Sequence, residues 1–300
     1  MNDLPSEPIP VGYRCGDWVT PEQMTISVAD DGFRFAATAV ERLRTYSGQI
    51  FQLAAHLSRW RRTLDAIGIA GQPSDDSLPK LLAELLRRNC DYVAYHGDVG
   101  ITVLATPGIA NADQPTLAIQ LQGIDQQRVR QRRQHGQRVI ITDIVQPAPE
   151  SWPRDIKVRC RLHYYLADRI ARSSDPDATG LLLDDDRVSI TETSIANVAI
   201  VKSGEIVSPA QDRILKGVTQ QVAEWLAQAR SIPWSKRWVA KSELYAADEI
   251  LLMGTDTGIW FSDRVDQCVV GDGSPGPIYS TLLRGFDDVV SGKIAVDLLN

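Results

Sequence analysis

Ile156-Lys157-Val158-Arg159-Cys160-Arg161-Leu162-His163-Tyr164-Tyr165-Leu166-Ala167 and, further along, Val188-Ser189-Ile190-Thr191-Glu192-Thr193-Ser194-Ile195-Ala196-Asn197-Val198 are the stretches on which the reading of this 300-residue chain turns. The first offers an amine that can form a Schiff base. The second offers a carboxylate that can hold a protonated ring nitrogen. The chain carries 32 Lys and Arg, most of them Arg. Arginine keeps its proton, so a lysine standing among arginines is suited to amine chemistry.

Composition narrows the function classes. The formal net charge is −6, and nothing in it points to nucleic acid or an anionic membrane as a partner. The run Arg128-Val129-Arg130-Gln131-Arg132-Arg133 is a local exception, read as a solvated linker or helix face rather than a binding patch. The N-terminus shows no basic stretch followed by an apolar one, so no signal peptide is expected. No apolar stretch approaches the roughly 20 residues of a membrane span. Cys15, Cys90, Cys160 and Cys268 are scattered, with neither a disulfide framework nor a zinc spacing. Cys160 and His163 could share a helix face, but one such pair is not a metal site. The expectation is a cytoplasmic protein without metal.

Strands and helices mix in both halves without regular alternation, which indicates α+β rather than a doubly wound sheet. No GxGxxG or GxxxxGK[ST] occurs, so Rossmann and P-loop nucleotide sites are not expected. Leu57, Trp60, Leu64 and Ile67 recur at helical spacing over His56 to Ile67, and Asp76 to Arg88 reads as a second helix. Ala37 to Tyr46 reads as either a helix or a strand. Val99 to Thr106, Thr116 to Leu121 and Val139 to Ile144 read as strands. Ser203-Gly204 marks a hairpin turn between Val198–Lys202 and Glu205–Ser208. A last helix runs from Pro277 to Ile294, interrupted near Gly285. Residues 123–136 are polar and nearly free of large apolar side chains. They are read as a linker between an N-terminal domain, 1–122, and a C-terminal domain, 137–300.

With these segments placed, the chain resembles the class IV aminotransferases, the fold-type IV pyridoxal-phosphate enzymes. That family includes branched-chain aminotransferases, D-amino-acid transaminases and aminodeoxychorismate lyase. Six motifs carry the resemblance, in the family order. They are Asp30-Asp31-Gly32-Phe33-Arg34-Phe35 through Glu41 to Gly48, His56-Leu57-Ser58-Arg59, the Lys157 segment, Glu192 to Asn197, Leu215-Lys216-Gly217-Val218-Thr219, and Met253-Gly254-Thr255-Asp256. The resemblance implies a smaller N-terminal α/β sandwich and a larger C-terminal pseudo-barrel, with pyridoxal 5'-phosphate as cofactor. It makes Lys157 the catalytic lysine and Arg59 a phosphate-binding arginine, a role that suits its planar fork. Glu192 is the partner of the pyridine nitrogen, Val218 and Thr219 a phosphate seat at a helix start, and Thr255 a further phosphate contact. Phe35, Glu41, Arg161 and Asp256 fall on the substrate side.

The same comparison exposes departures. Phe35 stands where many relatives carry Tyr, and Pro107 where many carry Arg. The Arg-x-His that holds the substrate carboxylate in D-amino-acid transaminases is not found, and Glu41 stands where lyase members tend to carry Thr. Arg159, Arg161 and His163 make the lysine segment unusually basic. One of the two arginines is expected either to meet a substrate carboxylate or to serve a buried salt bridge or dimer contact. The implied reaction moves an amino group from an amino acid, branched-chain among the candidates, to a 2-oxo acid such as 2-oxoglutarate. The alternatives are a lyase of the aminodeoxychorismate type or a family member with impaired turnover. A homodimer is also implied.

Overall fold

The computed structural model describes residues 6–70, 77–110 and 114–298, and these divide into two compact units. Unit one comprises Met1–Ile124 together with Ile156–Cys160. Unit two comprises Asp125–Asp155 and Arg161–Asn300.

Unit one is built on six strands, β1 Gly12–Arg14, β2 Asp17–Val19, β3 Ala39–Tyr46, β4 Gln49–Ile50, β5 Val99–Thr106 and β6 Thr116–Gly123. They form an antiparallel sheet in the order β2-β1-β6-β5-β3-β4. Its helices are α1 Asp31–Arg34, α2 Leu53–Ile67, α3 Ser77–Arg88 and α4 Cys90–His96. Successive strand residues point to opposite faces, so β3 turns Ala39, Glu41, Leu43 and Thr45 to one side. Ala39 and Leu43 join Ile101 and Val103 of β5 and Ile119 of β6 in a core closed by Trp60 and Leu64 of α2 and by Leu82 and Leu85 of α3. The segment left open between helix and strand at Ala37 to Tyr46 is thus a strand over 39–46. Val40 and Arg44 on its other face are buried as well, so the strand lacks the clean alternation of a half-covered sheet. Asp76, the expected start of α3, lies outside the described residues.

Unit two carries α5 Gln126–His135, β7 Val139–Val145, α6 Leu162–Ser174, β8 Thr179–Leu183, β9 Ile190–Thr193, β10 Asn197–Lys202 and β11 Glu205–Ser208. It continues with α7 Val218–Gln228, β12 Trp234–Lys236, α8 Lys241–Tyr245, β13 Glu249–Gly254, β14 Gly258–Phe261, β15 Arg264–Val265, β16 Cys268–Val269 and α9 Pro277–Val290. The strands run in the order β12-β11-β10-β9-β8-β7-β15-β16, with β13 also on β10 and β14 on β13. Pairing is mostly antiparallel. Of the parallel pairs, β7–β8 and β11–β12 are joined through a helix, α6 and α7, and β7–β15 pair across a much longer stretch of chain. Ser203-Gly204 closes the hairpin of β10 and β11, with Lys202 opposite Glu205.

Two local expectations change. Residues 126–135, read within a linker, form helix α5, which begins with the Asp125 carboxylate accepting from the Arg128 N–H at 2.9 Å. Its one buried residue is Val129, so the segment carries almost no apolar periodicity to reveal it. Helix α9 runs unbroken through Gly285. A Cβ there would stand 2.9 Å from Leu226 of α7, so the glycine serves a close helix approach rather than a break.

Candidate active site

In unit one, the lysine segment lies alongside β3. Ala39 bridges Val158, the Val40 N–H donates to the Lys157 carbonyl at 2.9 Å, and the Arg159 N–H donates to the Thr38 carbonyl at 3.0 Å. From the other side, the Lys157 N–H donates to the Thr63 hydroxyl at 3.0 Å. The backbone of Lys157 is therefore held by a strand and by α2.

Glu41 sits in the same inward row as Leu43, where a bare carboxylate would be costly. Helix α2 answers it with His56 and Arg59, three residues apart and so on one face. Arg59 donates Nε to Oε2 at 3.0 Å and Nη2 to Oε1 at 2.6 Å, a paired fork, and His56 Nδ1 lies 2.9 Å from Oε1. All three side chains are buried. Burial pushes the Glu41 carboxyl up, but the Arg59 charge and the His56 hydrogen bond outweigh it and hold the carboxyl far below the usual range. Burial also lowers His56, against the pull of Glu41. The ring is neutral, and because a carboxylate only accepts, Nδ1 carries the proton.

A pH dependence follows. On acidification the unfolded chain binds a proton at histidine near pH 6.5 and at glutamate near pH 4.3. The folded His56 and Glu41 refuse both until lower pH. Their contribution to stability is complete above neutrality and is lost as pH falls through those values, at about 1.4 kcal/mol per pH unit for each group in its window. The unfolding midpoint should therefore drop from pH 7 to pH 5, with a shallower drop in His56→Gln, as read by circular-dichroism melts.

In unit two, β9 and β10 join through a short turn that sets Glu192 directly opposite Asn197. Opposed residues share a face, which accounts for the Glu-x-x-x-x-Asn spacing. The Glu192 carboxylate is buried and accepts from the Tyr164 hydroxyl at 2.7 Å, Gln146 Nε2 at 3.1 Å, Asn197 Nδ2 at 3.0 Å and the Leu215 N–H at 3.3 Å. Tyr164 is raised well above its ordinary value, by burial first and by the Glu192 charge, so it stays a donor. Asn197 also donates to the Leu215 carbonyl at 2.8 Å. A Cβ on Gly217 would collide with the Asn197 side-chain oxygen, so only glycine permits this approach. Helix α7 starts after Gly217, which provides no side-chain cap, with Val218 and Thr219 buried in its first turn. Such a start presents N–H groups and a positive dipole end.

Arg161 is half-buried, donates to the Ser194 carbonyl and lies over the Tyr164 ring at 4.6 Å. Arg154 is buried, and its Nη2 has no hydrogen-bond partner among the described residues. Burial together with Arg161 and Arg154 lowers His163 to about 4, so it is neutral. Thr255 lies in the turn between β13 and β14 and is half-buried, whereas Asp256 is exposed. Phe35 is exposed at 66%. Arg159 is exposed. Sequence reasoning did not single out Thr63, Gln146, Arg154 or Tyr164. Thr63 had a usable signal, being four residues beyond Arg59 on the same helix face. The other three converge from distant segments and carry none.

A model of the amino-transferase class IV family matches residues 38–264. The chain belongs to the class IV aminotransferases. D-alanine aminotransferase of Staphylococcus epidermidis is 27% identical over 285 residues, covering 92% of this chain and 96% of that protein. Branched-chain-amino-acid aminotransferase-like protein 1 of Arabidopsis thaliana is 25% identical, over 94% of this chain and 52% of that one. Among solved structures, the branched-chain aminotransferase of Thermoproteus uzoniensis with norvaline superposes with a TM-score of 0.84 at 23% identity, over 95% and 96% of the two chains. The fold is therefore fold type IV, and this class IV member is a pyridoxal-phosphate-dependent aminotransferase.

The residues present suit that cofactor. The Glu192 carboxylate is held in place by four donors and would offer an acceptor to a pyridinium N–H. The start of α7 suits a phosphate. Among the described residues no cluster suits a metal ion, and no helix is long and apolar enough to cross a membrane.

Proposed function

We propose that this aminotransferase moves the amino group of an α-amino acid, with branched-chain substrates among the candidates, to a 2-oxo acid such as 2-oxoglutarate. The observation that carries the reading is the buried Glu192 carboxylate with its four donors, since an ionised acceptor is what a protonated pyridine ring needs. Pyridoxal phosphate, when bound, supplies the electron sink for the substrate carbanion. The Lys157 amine carries a proton between the substrate α-carbon and the cofactor C4′. Glu192 would hold the ring nitrogen in its protonated form, Tyr164 and Asn197 keep Glu192 in place, and Val218, Thr219 and Thr255 would serve the phosphate. Arg161, held over Tyr164, offers its guanidinium to a substrate carboxylate. Family membership supports a homodimer as the working form.

The test is a half-reaction, with holoenzyme mixed with one amino acid and no oxo acid. L-leucine or L-valine should give one equivalent of the matching 2-oxo acid per chain, and Glu192→Gln should slow that release by about 100-fold, roughly 2.7 kcal/mol in the barrier. Release from D-alanine alone would overturn the branched-chain assignment. An unchanged rate in Glu192→Gln would overturn the role of the carboxylate.

A further inference from the structure

Unit two holds a cleft of about 470 Å³ against helix α5, lined by none of the residues assigned above. The arginine run noted in the sequence supplies Arg128 and Arg132. Arg138 and Arg264 add two more guanidiniums, and Asp175, Asp177 and Asp263 add carboxylates.

Groups of both signs are poorly answered there. Arg138 donates Nε to the Asp266 carbonyl at 2.7 Å and places Nη1 3.9 Å from Asp175, while its buried Nη2 has no hydrogen-bond partner among the described residues. Arg132 reaches the Thr257 hydroxyl at 3.4 Å, a weak contact; burial and the neighbouring Arg128 work against its charge, and Asp177 favours it. Asp263 is half-buried, and burial raises its carboxyl, with Asp175 adding to the rise and the charges of Arg264 and Arg138 opposing it. A simple anion would answer the arginines and be repelled by Asp263. A simple cation would do the reverse. A ligand bearing a carboxylate and an ammonium answers both, and a carboxylate fits the planar fork of arginine.

We propose that this cleft binds a free α-amino acid as its zwitterion, with the carboxylate on Arg132 and Arg138 and the ammonium on Asp263. Helix α5 also touches the turn that carries Thr255. Arg133 donates to the Thr257 carbonyl at 3.1 and 2.9 Å, and Arg132 to the Thr257 hydroxyl. A carboxylate that draws Arg132 away releases that hydroxyl, so occupancy of the cleft is coupled to the turn, and the coupling is reciprocal.

The test is calorimetric titration of the holoenzyme with 2-aminoisobutyrate, a zwitterion with no α-hydrogen for transamination to remove. The expected result is binding at millimolar concentrations that leaves the visible spectrum unchanged. Arg132→Gln and Asp263→Asn should each weaken it by about tenfold, and acetate and methylamine should bind more weakly by at least as much. Arg130→Gln, on an exposed position of the same helix, should change nothing. Asp263→Asn preserves shape, and thermal melts establish that each variant is folded. Binding that tracks the chromophore, survives both variants, is matched by acetate or is absent would overturn the proposal.

Discussion

Lys157→Ala is expected to lower kcat by about 10,000-fold, combining the loss of a nucleophile with the loss of a proton carrier. The variant should also lose the absorption band that borohydride fixes to the protein. It should fold, because what holds this position is backbone. The Val40 N–H on the Lys157 carbonyl and the Lys157 N–H on the Thr63 hydroxyl survive the substitution. Added methylamine should restore part of the rate, since a small amine can carry the proton the side chain no longer carries. Stopped-flow absorbance with and without methylamine reads both effects. A variant retaining more than about one hundredth of the wild-type rate would mean that another group moves the proton.

The second large effect falls on stability. Glu41→Ala strands the Arg59 guanidinium in a buried site, and breaking such a pair from one side costs about 3–5 kcal/mol. At about 2–4 °C per kcal/mol for a domain of this size, the melting midpoint should fall by about 10 °C. The paired substitution Glu41→Leu with Arg59→Met removes both charges and should recover much of the loss. If the double variant is as unstable as the single one, packing around Glu41 rather than its charge is what matters. The single substitution acts at a position expected to face the substrate, yet its carboxylate is already occupied by α2.

That contrast marks what the chain's linear order can reveal. The Glu192–Asn197 spacing was legible because a hairpin converts a five-residue separation into one opposed pair. Strand β5 was legible from its boundaries, and β10 and β11 from the turn between them. Lys157 was singled out by the company it keeps in sequence. The Glu41 cluster was not, because a glutamate in an apolar row can be solvated, misplaced or paired, and only the helix across from it decides. Arg154, Gln146 and Tyr164 reach the neighbourhood of Glu192 from three separate segments, and no local pattern joins them. Helix α5 was hidden for a different reason. With Val129 as its sole buried residue, it is anchored by polar contacts such as those of Arg133 to Thr257 and Asp287, which leave no periodic trace.

The lysine strand also bears on the order of events during synthesis. The chain leaves unit one at Ile124, spends 125–155 in the other unit, and comes back for five residues, Ile156–Cys160, before leaving again. A ribosome that has finished Ile124 has therefore made the whole six-stranded sheet but not the residues that complete its edge at Ala39. The nascent N-terminal unit must wait, with that backbone unclaimed, until some thirty more residues have emerged. Lys157 is in this sense a late delivery to a sheet whose strands are already made.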